Sequence, residues 1–182
     1  MSPPVTEFRA IYDAYFEFVW RNLRRLGVHE DAVDDALQDV FVVVHRRMTD
    51  YDSQRATVRS WLFGIVLRVA KDHRRTRTRK DPATRAADFV DPDSLAAMAD
   101  TGPQECAELA ERISLLHHLL EQVDEKKRTL LILAELEQMT APEIASALQI
   151  PLNTVYSRLR TAREDFQDAL ARHRSSAEES QR

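Results

Sequence analysis

The chain has 182 residues, enough for one ordinary domain or two small ones of roughly 70–80 residues each. With three glycines and no segment that alternates apolar and polar residues, strands are not expected; apolar residues recur every three or four positions, so the expected class is all-α. The single cysteine, Cys106, excludes an internal disulfide and a multi-cysteine metal centre, and a formal net charge of −4 argues mildly against a nucleic-acid binder unless the charges are segregated, as they are here.

A first helix is expected from Thr6 to Leu26, with Phe8, Ile11, Tyr12, Tyr15, Val19, Leu23 and Leu26 on one buried stripe and Gly27 at its end. A second runs from about Asp31 to Met48 and turns Val33, Leu37, Val40, Phe41, Val44 and Met48 inward. The polar stretch Thr49–Ala56 reads as a loop. A third helix runs from about Thr57 into the arginine cluster near Arg75 and buries Val58, Trp61, Leu62, Ile65, Val66 and Val69. These three helices make one bundle over residues 6–76. Between Thr76 and Glu105 the apolar stripe is lost among Pro82, Pro92, Gly102 and Pro103, so residues 77–104 are expected to form an acidic, flexible linker, with one short helical turn around Ser94–Met98.

Helical periodicity resumes over residues 105–171, a second small bundle. Leu109, Ile113, Leu116, Leu120 and Val123 line one helix; another starts near Asp124 and buries Leu130, Leu131, Leu133, Ala134 and Leu136. Thr140-Ala141-Pro142-Glu143 is a capping box that opens a short helix, in which Ile144, Ala145 and Leu148 face the core. Ile150-Pro151-Leu152-Asn153 breaks it, and a last helix is expected from Thr154 to Ala171, followed by a frayed polar tail over residues 172–182. No leading apolar run follows basic residues and no stretch is long enough to span a bilayer, so a soluble, cytoplasmic protein without membrane insertion is expected.

Two short helices joined by a tight turn, the second rich in basic and hydroxyl side chains, meet the mechanical needs of major-groove reading. With Val155, Leu159, Ala162 and Phe166 inward, the last helix turns Asn153, Thr154, Tyr156, Ser157, Arg160 and Arg163 outward, mostly near its N-terminus. Arg158 and Arg163 suit phosphate contacts, and Tyr156, Ser157 and Arg160 suit base edges. The competing reading is an amphipathic helix with a merely solvated arginine face. The capping box, the proline-containing turn and the helix lengths favour DNA contact.

The segments Leu133 to Ala145 (LAELEQMTAPEIA) and Thr154 to Arg163 (TVYSRLRTAR) resemble the C-terminal DNA-binding domain of sigma-70 superfamily RNA polymerase sigma factors. That family commonly spells the recognition helix T-V-K-S-R-L-x-R-A-R; here Tyr156 stands for a basic residue and Thr161 for an arginine. Asp34 to Phe41 (DDALQDVF) resembles the family's A-E-D-L-x-Q-E-x-F signature, which implies docking on the clamp of core polymerase. Helical spacing puts Asp35, Gln38, Asp39 and Val42 on one face opposite the buried stripe, the face such a contact would use. Ser60 to Ile65 (SWLFGI) and Asp72 to Arg75 (DHRR) resemble the family's element for capturing and melting the −10 promoter element, although the usual asparagine is Arg68 here. The resemblance implies that Arg55, Arg59, Trp61, Arg68, Lys71, Arg74 and Arg75 serve that element, with the loop from Tyr51 to Arg55 as a rim, and that the last helix reads the −35 element. On the residues themselves Trp61 falls on the buried stripe, where core packing is the plainer role.

Signatures of two domains in the right order, over a short chain, place the resemblance in the extracytoplasmic-function group. The implied partners are core RNA polymerase, promoter DNA and an inhibitory anti-sigma factor; no cofactor is expected. A stand-alone helix-turn-helix regulator explains the C-terminal half equally well but not the acidic face of the second helix. An enzyme is not expected: His117 and His118 are adjacent and diverge around a helix, His45 and His73 lie amid exposed charge, and Cys106 reads as an ordinary thiol.

Overall fold

The computed structural model describes residues 5–80 and 102–180, and the chain divides between Ala99 and Asp100 into two compact units. All regular elements among the described residues are helical. In the first unit α1 (Val5–Arg25), α2 (Glu30–Arg47) and α3 (Val58–Lys80) pack pairwise into a three-helix bundle. A single 3₁₀ turn, Met48–Asp50, follows α2.

α1 ends as its glycine dictates. Gly27 adopts φ 83°, its N–H donates to Arg24 O at 2.9 Å, and Val28 N–H donates to Leu23 O at 3.0 Å. That pairing closes the last turn and swings Val28 into the core. Only the C-terminal half of the expected α1 stripe is fully buried: Val19, Leu23 and Leu26, joined by Phe18. Phe8, Ile11 and Tyr15 are half-buried and Tyr12 is exposed, its ring lying against Phe41 at the rim of the contact between α1 and α2. Three polar side chains that the apolar pattern passes over, Asn22, Arg24 and Arg25, lie in the core instead. Asn22 Nδ2 donates to Phe18 O at 2.8 Å and Arg24 to Val28 O at 3.1 Å, so their polar ends serve the helix and its cap.

α2 buries Val33, Ala36, Leu37, Val40, Phe41 and Val44, the expected stripe with Ala36 added and Met48 half-buried at its end. α3 packs against both other helices, so its buried arc is wider than one stripe. Phe63, absent from the expected stripe, is fully buried, whereas Trp61 and Val58 are only half-buried. Thr57 caps α3: its Oγ1 accepts from Ser60 N–H at 3.2 Å. α3 continues to Lys80, four residues past the expected domain edge, because Thr76-Arg-Thr-Arg-Lys80 contains no helix breaker.

In the second unit α4 (Pro103–Glu121), α5 (Glu125–Leu131), α6 (Ala141–Leu148) and α7 (Leu152–Ser180) gather on α7, the longest helix. Residues 103 and 104, expected in the linker, form the first turn of α4; the short helix expected around Ser94–Met98 lies outside the described residues. Asp124 caps α5 by accepting from Lys126 N–H at 3.0 Å. α5 then widens into a π turn over Ile132–Leu136, where Glu137 N–H reaches Ile132 O at 2.9 Å. The wider step resets the helical phase. Ile132 and Leu133 are both buried, and Ala134 and Leu136, expected inside, are half-buried.

The capping box forms, with Glu143 Oε2 accepting from Thr140 N–H at 2.9 Å and from the Thr140 hydroxyl at 2.8 Å. In α6 Ile144 and Ala147 are buried, while Ala145 and Leu148 are half-buried. Gln149 ends α6 in the left-handed region at φ 55°, with Ile150 N–H donating to Ala145 O at 3.1 Å. α7 starts at Leu152, two residues earlier than expected, because Pro151 O accepts from both Thr154 and Val155 N–H groups. It also runs on through the supposed tail to Ser180; Ala, Arg, Glu and Ser there sustain a helix, and Arg172 is anchored to Gln122 at 3.2 Å.

Two stability changes are expected. Phe63→Ala empties a fully buried site and should lower unfolding free energy by about 3–5 kcal/mol in a denaturant titration. Gln149→Gly relieves the left-handed backbone and should raise it by about 0.5 kcal/mol.

Candidate nucleic-acid and partner interfaces

α7 presents the helix-turn-helix face as its phase requires. Val155, Leu159 and Ala162 are buried; Asn153, Tyr156, Ser157, Arg158, Arg160 and Arg163 are exposed, and Thr154 is half-buried. Tyr156 is the most open large apolar side chain among the described residues, at 57% exposure. The Ser157 hydroxyl donates back to Thr154 O at 3.2 Å, an easily exchanged bond that orients it along the helix.

The arginines are not equivalent. Arg163 Nε and one terminal nitrogen both donate to Glu135 Oε1, at 2.9 and 2.8 Å, tying α7 to the π turn. Arg160 makes a loose, solvent-exposed pair with Glu164 at 3.7 Å. The Arg158 side chain is exposed and has no hydrogen bond or ion pair among the described residues, while its carbonyl oxygen accepts from the Thr161 hydroxyl at 3.0 Å. Tyr156, Arg160 and Arg163 rim a groove of about 590 Å³, floored by Met139, Ala141 and Leu159, between the start of α6 and α7.

The seven residues expected to serve one site do not share one surface: six lie on α3 and Arg55 precedes it. Trp61, Arg68, Lys71 and Arg75 fall on the outward side of the helix at spacings of seven, ten and fourteen residues; the last three are exposed and Trp61 is half-buried. Arg59, expected to serve the same element, turns instead toward α1. Its guanidinium lies 5.2 Å from the Phe18 ring centroid, because its helical phase puts it next to the buried arc. Arg74 is half-buried at the edge. Arg55 lies in the preceding loop and pairs with Asp52 at 3.1 Å.

That loop is a structured turn. Asp52 Oδ1 accepts from Gln54 N–H at 2.9 Å, the Tyr51 hydroxyl donates to Ala56 O at 3.0 Å, and the Tyr51 and Trp61 rings meet at 5.2 Å. Trp61 is therefore neither a core residue nor a free platform; it forms a ledge with Tyr51 at the loop's base. Burial, with smaller contributions from nearby Tyr15 and Asp52, raises the Tyr51 phenol above its usual 10.0.

On α2, Asp35, Gln38, Asp39 and Val42 are all exposed on one face, Val42 at 40%. The strip adjoins a groove of about 600 Å³ whose walls include Phe8, Tyr12, Phe41 and Val42. Tyr12 sits 4.5 Å from Phe41, and Phe8 lies edge-on to His45 at 5.2 Å. Tyr12, expected in the core, instead belongs to this exposed aromatic border. His73, read as one residue amid exposed charge, donates from Nε2 to Asp39 Oδ2 at 2.8 Å.

A three-helix bundle with an acidic outward strip and a basic helix, followed by a helix-turn-helix unit, defines a class of non-catalytic DNA-binding transcription proteins. Residues 11–80 match the family description Sigma-70 region 2, and residues 113–166 match Sigma-70, region 4. The chain is 32% identical over 149 residues to RNA polymerase sigma-H factor of Pseudomonas aeruginosa, covering 79% of this chain and 76% of that protein. It is 29% identical over 141 residues to the ECF RNA polymerase sigma factor RpoE of Cereibacter sphaeroides, covering 77% and 73%. A solved structure of CnrH in complex with the cytosolic domain of CnrY aligns with TM-score 0.62 and 26% identity over 90% of this chain and 87% of that one. The fold also matches RpoE of Bartonella quintana, solved with the anti-sigma factor NepR, with TM-score 0.64 and 16% identity over 92% and 98%. The chain belongs to the sigma-70 superfamily of RNA polymerase sigma factors, in its extracytoplasmic-function group.

Tyr51→Phe deletes the bond to Ala56 and should cost about 1 kcal/mol of stability at neutral pH. A phenol whose pKa is raised on folding contributes stability that is present below pH 10 and lost as pH climbs through the folded value. In thermal melts, the wild type should lose stability above pH 10 more steeply than Tyr51→Phe.

Proposed function

We propose that Asp35, Gln38, Asp39 and Val42 seat this sigma factor on core RNA polymerase, while α7 reads the −35 element and α3 with its preceding loop holds the −10 element. The observation that carries the reading is the α2 strip: three polar side chains and an exposed valine on the side of the helix opposite the core. An apolar side chain flanked by carboxylates suits a partner surface with basic residues around an apolar patch. A stand-alone regulator gives this strip no task.

On α7, Arg158 and Arg163 contact phosphates, Arg163 keeping or exchanging its Glu135 partner, and Asn153, Thr154, Tyr156, Ser157 and Arg160 face the bases. On α3, Arg68, Lys71 and Arg75 line the strand's phosphates, and the Tyr51–Trp61 ledge receives an unstacked base. Arg55 guards the loop's rim and Arg74 its edge, while Arg59, drawn onto Phe18, takes no direct part. The formal charge of −4 weakens attachment to free DNA, because phosphate attraction supplies most non-specific affinity. Promoter binding then belongs to the holoenzyme. The site of action is the cytoplasm, in keeping with the lack, among the described residues, of any helix long and apolar enough to cross a membrane. An anti-sigma factor holds the chain inactive, as the NepR complex of its fold relative suggests.

Run-off transcription with purified core polymerase on a genomic fragment library tests the reading: specific transcripts should require both chain and core. Val42→Asp should cut core affinity at least tenfold, and no measurable affinity of the wild type for core would overturn the proposal. Arg158→Ala combined with Arg160→Ala should weaken −35 binding by about 2–4 kcal/mol in the holoenzyme.

A further inference from the structure

The contact between His73 and Asp39 joins residues 34 positions apart, one on α3 and one on the outward strip of α2. His73 lies four residues past Val69 and three past Ala70, so it extends the buried arc of α3 by one more turn. Its side chain is 22% exposed, whereas that of Asp39 is 62% exposed. A well-packed imidazole thus holds one oxygen of a solvent-facing carboxylate, at a distance typical of a charge-assisted bond. Among the described residues no donor reaches the other oxygen, which is left for an outside one.

We propose that His73 is a positioning residue for the polymerase contact: it fixes the rotamer of Asp39 so that the free carboxylate oxygen points with Asp35, Gln38 and Val42 at the partner. An unsupported aspartate on a helix surface samples several rotamers, and docking would have to freeze it. The His73 bond does so before docking. The inference rests on the reading of the α2 strip as the polymerase face, and it adds a residue from the helix otherwise assigned to DNA.

The test is a double-mutant cycle on affinity for core polymerase, using full-length Asp39→Asn, His73→Ala and the double variant, with thermal melts of each. Asp39→Asn should weaken core binding about tenfold and His73→Ala about fivefold, with the double variant no weaker than Asp39→Asn alone. His73→Gln, whose amide nitrogen reaches the place of Nε2, should restore most of the affinity lost in His73→Ala. A purely structural staple would lower the melting temperature in every variant and leave the affinity of the folded chains unchanged, which overturns the positioning role. Additive losses, or His73→Gln no better than His73→Ala, overturn it too. If Asp39→Asn itself binds core like the wild type, the assignment of Asp39 to the polymerase face fails; if it binds weakly while His73→Ala binds normally, only the positioning role fails.

Discussion

The first unit depends on the burial of one stripe of α2. Val33, Ala36, Leu37, Val40, Phe41 and Val44 close the space between α1 and α3. A helix of 3.6 residues per turn cannot bury that set without turning Asp35, Gln38, Asp39 and Val42 the other way. The exposed strip is thus the geometric complement of the core. Any change that rotated α2 to expose more of the strip would also lift Val40 and Val44 out of the bundle, so the surface is held as rigidly as the interior behind it.

The same logic applies to α7, with an added device. Burial of Val155, Leu159 and Ala162 turns the arginine-bearing side of the helix outward, but where that side sits along the helix depends on the connection before it. The π turn at Ile132–Leu136 inserts one residue of phase, and Gln138, at φ 53°, reverses the chain so that Met139 N–H reaches Leu133 O at 2.9 Å. The capping box then starts α6 at once. Glu135, carried by the π turn, clamps Arg163 and links this irregular segment to the middle of α7. Irregular backbone here sets the position of a regular helix.

Charge is divided among these surfaces and not spread evenly. The acidic strip on α2 and the arginine-bearing sides of α3 and α7 lie on helices whose other sides are apolar. The net acidity of the chain is therefore compatible with basic local fields, which decay within about a Debye length of roughly 8–10 Å in physiological salt. A weak global field and strong local ones suit a protein whose contact with DNA is licensed by a larger assembly.

The apolar period of the sequence determined the helical class, the order of the helices and the outward faces of α2 and α7, because a stripe every three or four residues has one low-energy solution, and the spacing of Thr140 and Glu143 determined the capping box. Burial of Asn22, Arg24 and Arg25, the inward turn of Arg59 onto Phe18 and the exposure of Tyr12 were decided by packing, since each depends on where one helix outruns or overlaps another. The π turn left no mark in the pattern: Leu130 to Leu133 are all apolar, and a continuous apolar run fits several phases equally well. The helices beyond Arg75 and Arg172 were hidden because charged residues signal a solvated surface without distinguishing helix from coil. The bond from His73 to Asp39 belongs wholly to tertiary structure: sequence periodicity describes each helix about its own axis, and only the packing of α3 against α2 brings an imidazole to a particular carboxylate.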